Sequence, residues 1–221
     1  LNNISIKKVN LDENYSLDLT SILKEINKKT KIIFLCSPNN PTGNSISIEK
    51  IINLLESFNG IVFLDEAYIH FSNKKSCISL IKKYKNLVVC QTFSKAYGMA
   101  GARVGYAMAE ENLINSFEKI RNHFGMNRVA QKAALAALSD NQWLLEMVQK
   151  VESGRQRIYK IAASNNLKPI SSSTNFVAID CGQDGTFAKK VLTELISLGI
   201  FVRMPFVSPQ DRCIRVSVGK K

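Results

Sequence analysis

The segment Gln91–Tyr106 places two hydroxyls, an amine and a guanidinium close together, at Thr92, Ser94, Lys95 and Arg103. Hydroxyl donors and a planar guanidinium suit a phosphate, because together they can wrap its oxygens. A lysine held in a pocket beside such a site can attack a carbonyl and form a Schiff base. A Ser-Lys pair alone is usually part of a solvated loop, so this interpretation needs support from the rest of the chain.

The position of the lysine in the chain supplies the first support. The apolar run Leu87–Cys90 directly precedes the segment and predicts a buried strand. Ligands of open α/β sheets usually bind just beyond the carboxyl ends of the strands. We therefore expect Lys95 to lie at the ligand-binding edge of a sheet.

Two further apolar runs end in loops that carry polar groups. Ile32–Cys36 leads into a loop dense in turn formers at residues 37–43, and Ile61–Leu64 leads into Asp65-Glu66-Ala67-Tyr68. A helix capped by Ser47 is predicted between them. Strands that alternate with helices indicate a parallel sheet, and right-handed crossovers place all three loops on one edge. The side chains expected to converge there are Asn40, Asp65, Tyr68 and Lys95.

The second half of the chain predicts shorter elements attached to a long helix. We expect an α/β fold with a mostly parallel sheet flanked by helices, and a smaller C-terminal α+β domain. The predicted division is a large domain at residues 1–140 and a small domain at residues 141–221. Further predicted elements are a weak strand at residues 1–10, helices at Ser16–Lys28, Ser76–Lys85, Glu110–Asn122, Arg128–Leu138, Asn141–Asn165 and Thr186–Leu198, and strands at Val104–Ala109, Phe176–Asp180, Ile200–Arg203 and Cys213–Val218.

Composition excludes several classes of protein. The net charge is +12, but the lysines are scattered without interleaved aromatic residues, so nucleic-acid binding is not expected. No apolar run approaches the ~20 residues that span a bilayer, and no leader is evident, so we expect a cytoplasmic chain without membrane contact. Five cysteines without a CxxC pair suit reduced thiols. The two histidines, His70 and His123, are far apart, so no metal site is expected.

Three motifs occur in order: SPNNPTG from residue 37, DEAY from residue 65 and TFSKAYGMAGARVGY from residue 92. Each follows an apolar strand. In this order they resemble the class I/II, fold-type-I aminotransferases that use pyridoxal 5′-phosphate, and the resemblance covers nearly all 221 residues. Within that family, the lysine motif and the closing IRVSVG are most similar to the histidinol-phosphate aminotransferases.

The resemblance implies a role for each candidate residue. Lys95 would carry the cofactor and shuttle a proton, Asp65 would face the pyridine nitrogen, and Tyr68 and Asn40 would contact the ring's phenolic oxygen. The phosphate would be held by Thr92, Ser94 and Arg103. The substrate would be bound by Arg215 through its α-carboxylate, by Arg203 through a distal phosphate, and by Asn175 in the pocket lining.

The same resemblance implies transamination between an amino acid and a 2-oxo acid, in a homodimer. Family members carry a substantial segment before the point where this chain begins and a final helix after IRVSVG, so we expect a truncated chain with an incomplete cofactor cup. Four alternatives remain open: an aromatic or a broad-specificity aminotransferase, a pyridoxal-phosphate decarboxylase of a phosphorylated amino acid, and a catalytically silent fragment.

Overall fold

A computed structural model describes residues 4–122, 124–205, 207–208 and 210–219. His123, one of the two histidines considered above, lies outside the described residues. The helices are α1 (Leu19–Glu25), α2 (Ile48–Ser57), α3 (Glu111–Glu118), α4 (Arg128–Ser139), α5 (Asn141–Ser164) and α6 (Gly185–Ser197). The strands are β1 (Ile32–Cys36), β2 (Ile61–Asp65), β3 (Leu87–Thr92), β4 (Gly105–Met108), β5 (Lys168–Pro169), β6 (Phe176–Asp180) and β7 (Cys213–Ser217).

The first sheet has the strand order β1-β2-β3-β4. Strands β1, β2 and β3 are parallel, and β4 is antiparallel to β3. The register places Asp65 beside Cys36 on one side and beside Cys90 on the other. The expected α/β fold with a mostly parallel sheet is therefore confirmed, and its three loops open on one edge.

One face of this sheet carries the main hydrophobic core. Alternate residues of β1, β2 and β3 point to this face, as the period of a strand requires. They pack against α1, α2 and the 3₁₀ turn Cys77–Lys82, and Leu54, Leu64 and Leu87 are fully buried there. Helix α2 begins at the predicted cap, where the Ser47 side chain accepts a hydrogen bond from the amide of Lys50. This packing fixes the strands whose ends carry the candidate site.

The second sheet is antiparallel, with the order β5-β6-β7. Strand β6 is buried along its whole length and packs with α5 and α6 around Val177, Ile179 and Ala188. A second contact comes from the start of the chain, because Tyr15 packs on Ala178 and Cys213. The small sheet is thus held by the long helix on one side and by the segment before α1 on the other.

Several predicted elements differ from the structure. Residues 4–10 form no strand, and residues 1–3 lie outside the described part. The expected strand Ile200–Arg203 is wrong: only Arg203 forms a bridge, to Arg215. The helix expected over Ser76–Lys85 is a shorter 3₁₀ turn, and α1 and α3 are shorter than predicted. Among the described residues, none of the helices combines the length and the apolar character that a membrane span requires.

Candidate active site

The loop after β3 gathers the predicted phosphate-binding residues. Arg103 Nη1 donates to the carbonyl of Ala100 at 3.0 Å and lies 3.5 Å from Ser94 Oγ. Arg103 has a φ of 55°, a left-handed conformation that non-glycine residues rarely adopt. Its guanidinium and the Ser94 hydroxyl therefore form one donor cluster at the edge of the sheet.

Thr92 contributes to this loop mainly by shaping it. Its Oγ1 donates to the carbonyl of Val104 at 3.2 Å and accepts from the amide of Ser94 at 3.1 Å. Since its proton is directed at Val104, the Thr92 hydroxyl is free to act only as an acceptor in this state. The role of Thr92 as a phosphate ligand stays a prediction.

Lys95 lies against an aromatic pair formed by two distant parts of the chain. Its Nζ is 5.1 Å from the ring centroid of Tyr68, within the range of a cation–π contact. The Tyr68 ring meets Phe176 edge to face, with centroids 5.4 Å apart. Tyr68 and Phe176 are both buried, so their packing fixes where the lysine amine can lie.

Arg215 occupies the other side of the same aromatic pair. Its Cζ lies 4.9 Å from the centroid of Phe176, and its Nη1 donates to Asn40 Oδ1 at 2.6 Å. The Nε of Arg215 is buried and has no hydrogen-bond partner among the described residues. The structure therefore brings Asn40, Tyr68, Lys95 and Arg215 together from four segments through these contacts.

Asp65 lies at the carboxyl end of β2 between two thiols. Its Oδ1 accepts a hydrogen bond from the amide of Ala67 at 2.8 Å, which shapes the turn that leads to Tyr68. Burial raises the pKa of the Cys36 thiol and of the Cys90 thiol to about 11, and the nearby Asp65 carboxylate adds to both shifts. Both thiols are thus protonated near neutral pH. On the two neighbouring strands, the residues paired with Asp65 are therefore neutral, weakly polar thiols.

Glu66, the next residue, points to the opposite face of the sheet. Its carboxylate is buried and accepts hydrogen bonds from the Ser76 hydroxyl at 2.6 Å, the Cys77 amide at 2.7 Å and Gln91 Nε2 at 2.8 Å. Three donors compensate the cost of burying this charge. The Glu66 network anchors the Asp65 turn to β3.

Arg203 and Arg215 are directly opposite each other in an antiparallel bridge. The Arg203 amide donates to the Arg215 carbonyl at 3.1 Å, and the Arg215 amide donates back at 2.6 Å. Side chains of directly paired residues project to the same face. The Arg203 side chain is exposed, so it lies at the solvent side of the Arg215 position.

Asn175 lies beside the site through its backbone. Its carbonyl accepts a hydrogen bond from the Val218 amide at 2.9 Å, and its side chain is half-buried. This bond ties the start of β6 to the end of β7. A direct role of the Asn175 side chain with a substrate stays a prediction.

Sequence reasoning missed three residues that shape the site: Phe176, Tyr15 and Arg155. The sequence predicts Phe176 only as part of a strand, and the one signal for a further role is that it directly follows Asn175, a candidate pocket residue. Tyr15 links the loop after β1 to the end of β6, since its carbonyl accepts from Asn44 Nδ2 at 2.7 Å and its hydroxyl donates to Asp180 Oδ2 at 3.1 Å. Arg155 is an arginine inside an amphipathic helix, and nothing in the periodicity of that helix marks it as buried.

Comparison with known proteins agrees with this geometry. The family model for aminotransferase class I and II matches residues 1–221, and the chain belongs to this family. A histidinol-phosphate aminotransferase of Christiangramia forsetii is 39% identical over 224 residues, covering 100% of this chain and 63% of that relative. One from Methanosphaera stadtmanae is 37% identical over 212 residues, covering 95% of this chain and 57% of that relative.

A solved structure is similar in the same way. The histidinol-phosphate aminotransferase of Sinorhizobium meliloti, determined in complex with pyridoxal 5′-phosphate, is 38% identical with a TM-score of 0.91. The match covers 98% of this chain and 60% of that chain. The chain thus has the fold of these aminotransferases and spans less than two thirds of the length of the relatives named here.

Proposed function

We propose that this chain contributes the lysine-bearing part of a pyridoxal-phosphate-dependent aminotransferase, most similar in substrate to the histidinol-phosphate enzymes. The observation that carries the proposal is the placement of Lys95 and Arg215 on the two rings of one buried aromatic pair. An amine and an anion-binding guanidinium on adjoining rings suit an amino acid, whose Cα lies one bond from its carboxylate. The identity of the relatives supports the same conclusion.

The residues present fit the chemistry of the cofactor. Ser94 and Arg103 form a hydroxyl and guanidinium cluster suited to a phosphate, and Asp65 offers a carboxylate suited to a protonated ring nitrogen. Lys95 is the amine beside them. When bound, pyridoxal phosphate supplies an aldehyde that accepts an amino group and a ring that withdraws electrons. We expect Ser94, Arg103, Asp65, Tyr68 and Asn40 to hold it, with Lys95 as the attachment point. Thr92 would join them once its hydroxyl proton turns from the Val104 carbonyl to the phosphate.

Each side chain then has a separate task. Lys95 Nζ, held against Tyr68, would take a proton from the substrate Cα and return it, as a positioned general base and acid. Arg215 would bind the α-carboxylate in a bidentate pair, for which its unpartnered Nε and its Nη1 are suited. Asn40 Oδ1 holds this guanidinium until a carboxylate arrives. Phe176 would exclude water from one side of the ion pair.

The finer assignments follow from the same arrangement. Arg203, on the same face as Arg215, would bind the distal phosphate of a histidinol-phosphate-like substrate, and Asn175 would line the pocket. Small-molecule amino acids and 2-oxo acids are the expected partners, and a homodimer is the expected assembly. The five cysteines are free, which suits a reducing cytoplasmic compartment.

Reductive trapping tests the proposal. Pyridoxal phosphate is added to the purified chain, borohydride is added, and the labelled peptide is mapped. We expect the label on Lys95, no label in Lys95→Arg, and an unchanged label in the control Lys85→Arg. A label spread over surface lysines would contradict the proposal. Product analysis with histidinol phosphate and a 2-oxo acid should give a new amino acid. Release of carbon dioxide from a phosphorylated amino acid, assayed separately, would indicate the decarboxylase alternative.

A further inference from the structure

Among the described residues, the most deeply buried positive charge outside the motifs belongs to Arg155, in the middle of α5. The residue is 5% exposed, and its guanidinium contacts two loops that are remote in sequence. Nη1 donates to the carbonyl of Phe71 at 3.1 Å and to the carbonyl of Thr174 at 2.9 Å, and Nη2 also donates to Phe71 at 3.1 Å. Glu152, one turn earlier on α5, pairs with the same guanidinium.

Each of these carbonyls belongs to a tight turn that ends at one ring of the aromatic pair. The Phe71 amide donates to the carbonyl of Tyr68 at 3.0 Å, so Phe71 and Tyr68 share one turn. Thr174 Oγ1 donates to the carbonyl of Phe176 at 3.0 Å and accepts from its amide at 3.3 Å. Arg155 is therefore one short hydrogen-bonded turn away from each ring.

The second of these turns also reaches the Asn40 loop. The amide of Ser173 donates to the carbonyl of Gly43 at 2.7 Å. Gly43 has a φ of +86°, and a Cβ at this position would lie 2.7 Å from Ser172 Oγ. The two loops thus touch backbone to backbone, and a shift of Thr174 would be passed to the loop that carries Asn40.

The helix that carries Arg155 is itself held close to β7. A Cβ at Gly154 would lie 2.3 Å from Val218 Cγ1, so the Val218 side chain, directly after β7, packs on the backbone of α5 at this glycine. Arg155 therefore has little freedom to move relative to the strand of Arg215. A guanidinium can span two carbonyls with its fixed fork, whereas the single ammonium of a lysine is a point donor.

We propose that Arg155 is a positioning residue that holds Tyr68 and Phe176 in register and so sets the span between the Lys95 amine and the Arg215 guanidinium. It does not touch the substrate. Its loss should let the two turns separate, which should displace the Arg215 guanidinium that lies on Phe176 and weaken the binding of a carboxylate there. Attachment of the cofactor at Lys95 alone needs only one of the two ends and should be retained.

The inference rests on the proposed function for its ligand-binding consequence, and two measurements keep the two apart. The first uses the full chain without cofactor: hydrogen exchange of peptides that cover residues 66–72 and 172–176. We expect exchange in both peptides to be about tenfold faster or more in Arg155→Met, and unchanged in Arg157→Met, which removes an exposed arginine from the same helix. Unchanged exchange in Arg155→Met would overturn the proposal.

The second measurement uses the cofactor-loaded chain. Binding of a non-reactive dicarboxylate, maleate, is followed by the change in cofactor absorbance, and borohydride labelling of Lys95 is measured in parallel. We expect Arg155→Met to weaken maleate binding about tenfold while the Lys95 label is retained, with Arg155→Lys intermediate. Equal maleate binding in wild type and both Arg155 variants would overturn the proposal.

Parallel loss of label and of maleate binding, together with a lowered melting temperature, would reduce Arg155 to a general structural role and would also overturn the proposal. If Arg155→Met does not fold, Arg155→Lys is compared with Arg157→Met instead, by hydrogen exchange of the two peptides and by maleate binding. Failure of the wild-type chain to take any label on Lys95 would count against the proposed function, and the exchange experiment would then decide the inference by itself.

Discussion

Asn40 and Arg215 are 175 residues apart in the chain, and their side chains share a hydrogen bond of 2.6 Å. The bond joins the loop after β1 to the central residue of β7, and so joins the two sheets at the site. A carboxylate that binds Arg215 must compete with or rearrange this contact. Asn40 therefore has two proposed roles. The motif resemblance assigns it to the cofactor, and its hydrogen bond to Arg215 links it to the substrate carboxylate.

The antiparallel bridge between Arg203 and Arg215 leads to a prediction about substrate choice. Arg203→Ala should lower kcat/KM for histidinol phosphate about ten- to a hundredfold, because loss of one charge-assisted contact costs roughly 1.5–3 kcal/mol. Glutamate or an aromatic donor should be almost unaffected. The measurement is steady-state kinetics in a full-length protein, with Arg157→Ala as the control. Equal losses for all substrates would show that Arg203 is structural.

Asp65→Asn should retain cofactor attachment but slow proton abstraction by several orders of magnitude. The amide keeps an Oδ1 acceptor for the Ala67 amide while the charge that would hold the ring nitrogen's proton is lost. Single-turnover kinetics measure the effect, and Glu111→Gln, at an exposed carboxylate in the first turn of α3, is the control. A near-normal rate in Asp65→Asn would refute the assigned role.

The same variant should change thiol reactivity. The Asp65 charge raises the pKa of Cys36 and Cys90 beyond the effect of burial, so its removal lowers both pKa values. Below those pKa values the thiolate fraction rises as the pKa falls, and alkylation of both thiols should be roughly two- to tenfold faster. Cys77 is the internal control, because its carboxylate neighbour is Glu66. Alkylation of Cys36 and Cys90 at the wild-type rate would contradict the placement of the Asp65 carboxylate between the two thiols.

His70 should make stability depend on pH. Its ring packs on Tyr97, its Nδ1 is buried without a partner among the described residues, and burial lowers its pKa below the ordinary value of 6.5. The unfolded chain then binds the proton more readily, so stability is full above about pH 6.5 and falls as the pH drops toward the folded pKa.

The variant His70→Phe keeps the aromatic contact and removes the titration. We expect a smaller loss of unfolding free energy between pH 7.5 and pH 5 than in wild type, measured by urea denaturation. Tyr97→Phe keeps the histidine and serves as the control. Its unfolding free energy should change with pH as in wild type. If the unfolding free energy of His70→Phe falls with pH as steeply as that of wild type, the pH dependence belongs to other groups.

The sequence predicts the parts of the site that come from local patterns. Strands β1, β2 and β3 are continuous apolar runs, and each ends at a motif, so the placement of Asn40, Asp65 and Lys95 at one edge of the sheet follows from the parallel topology alone. The contact between Arg215 and Phe176 depends instead on the β6–β7 register, in which Arg215 opposes Ala178 and meets Phe176 diagonally. No local pattern encodes that register.

The predicted strand at Ile200–Arg203 failed for a related reason. Ile200 and Phe201 are exposed, so the apolar run does not reflect burial against the sheet. Only Arg203 forms a bridge, and that bridge is set by its partner on β7. The buried Arg155 was equally invisible, because a charge inside a helix is ordinarily a solvated residue.

The separation of Asn40 from Arg215 along the chain has a kinetic consequence. Strand pairs such as Ile32 with Ile61 close over a single helical crossover, whereas the contact between Asn40 and Arg215 joins the loop after the first strand to the last strand. Contacts between distant residues tend to slow folding, because chain entropy is lost before they stabilise the structure. We expect refolding, followed by pulsed hydrogen exchange, to protect β1, β2 and β3 before β7. The lysine end of the site would then be in place first, and the ability to hold a carboxylate would be the last property that the chain acquires.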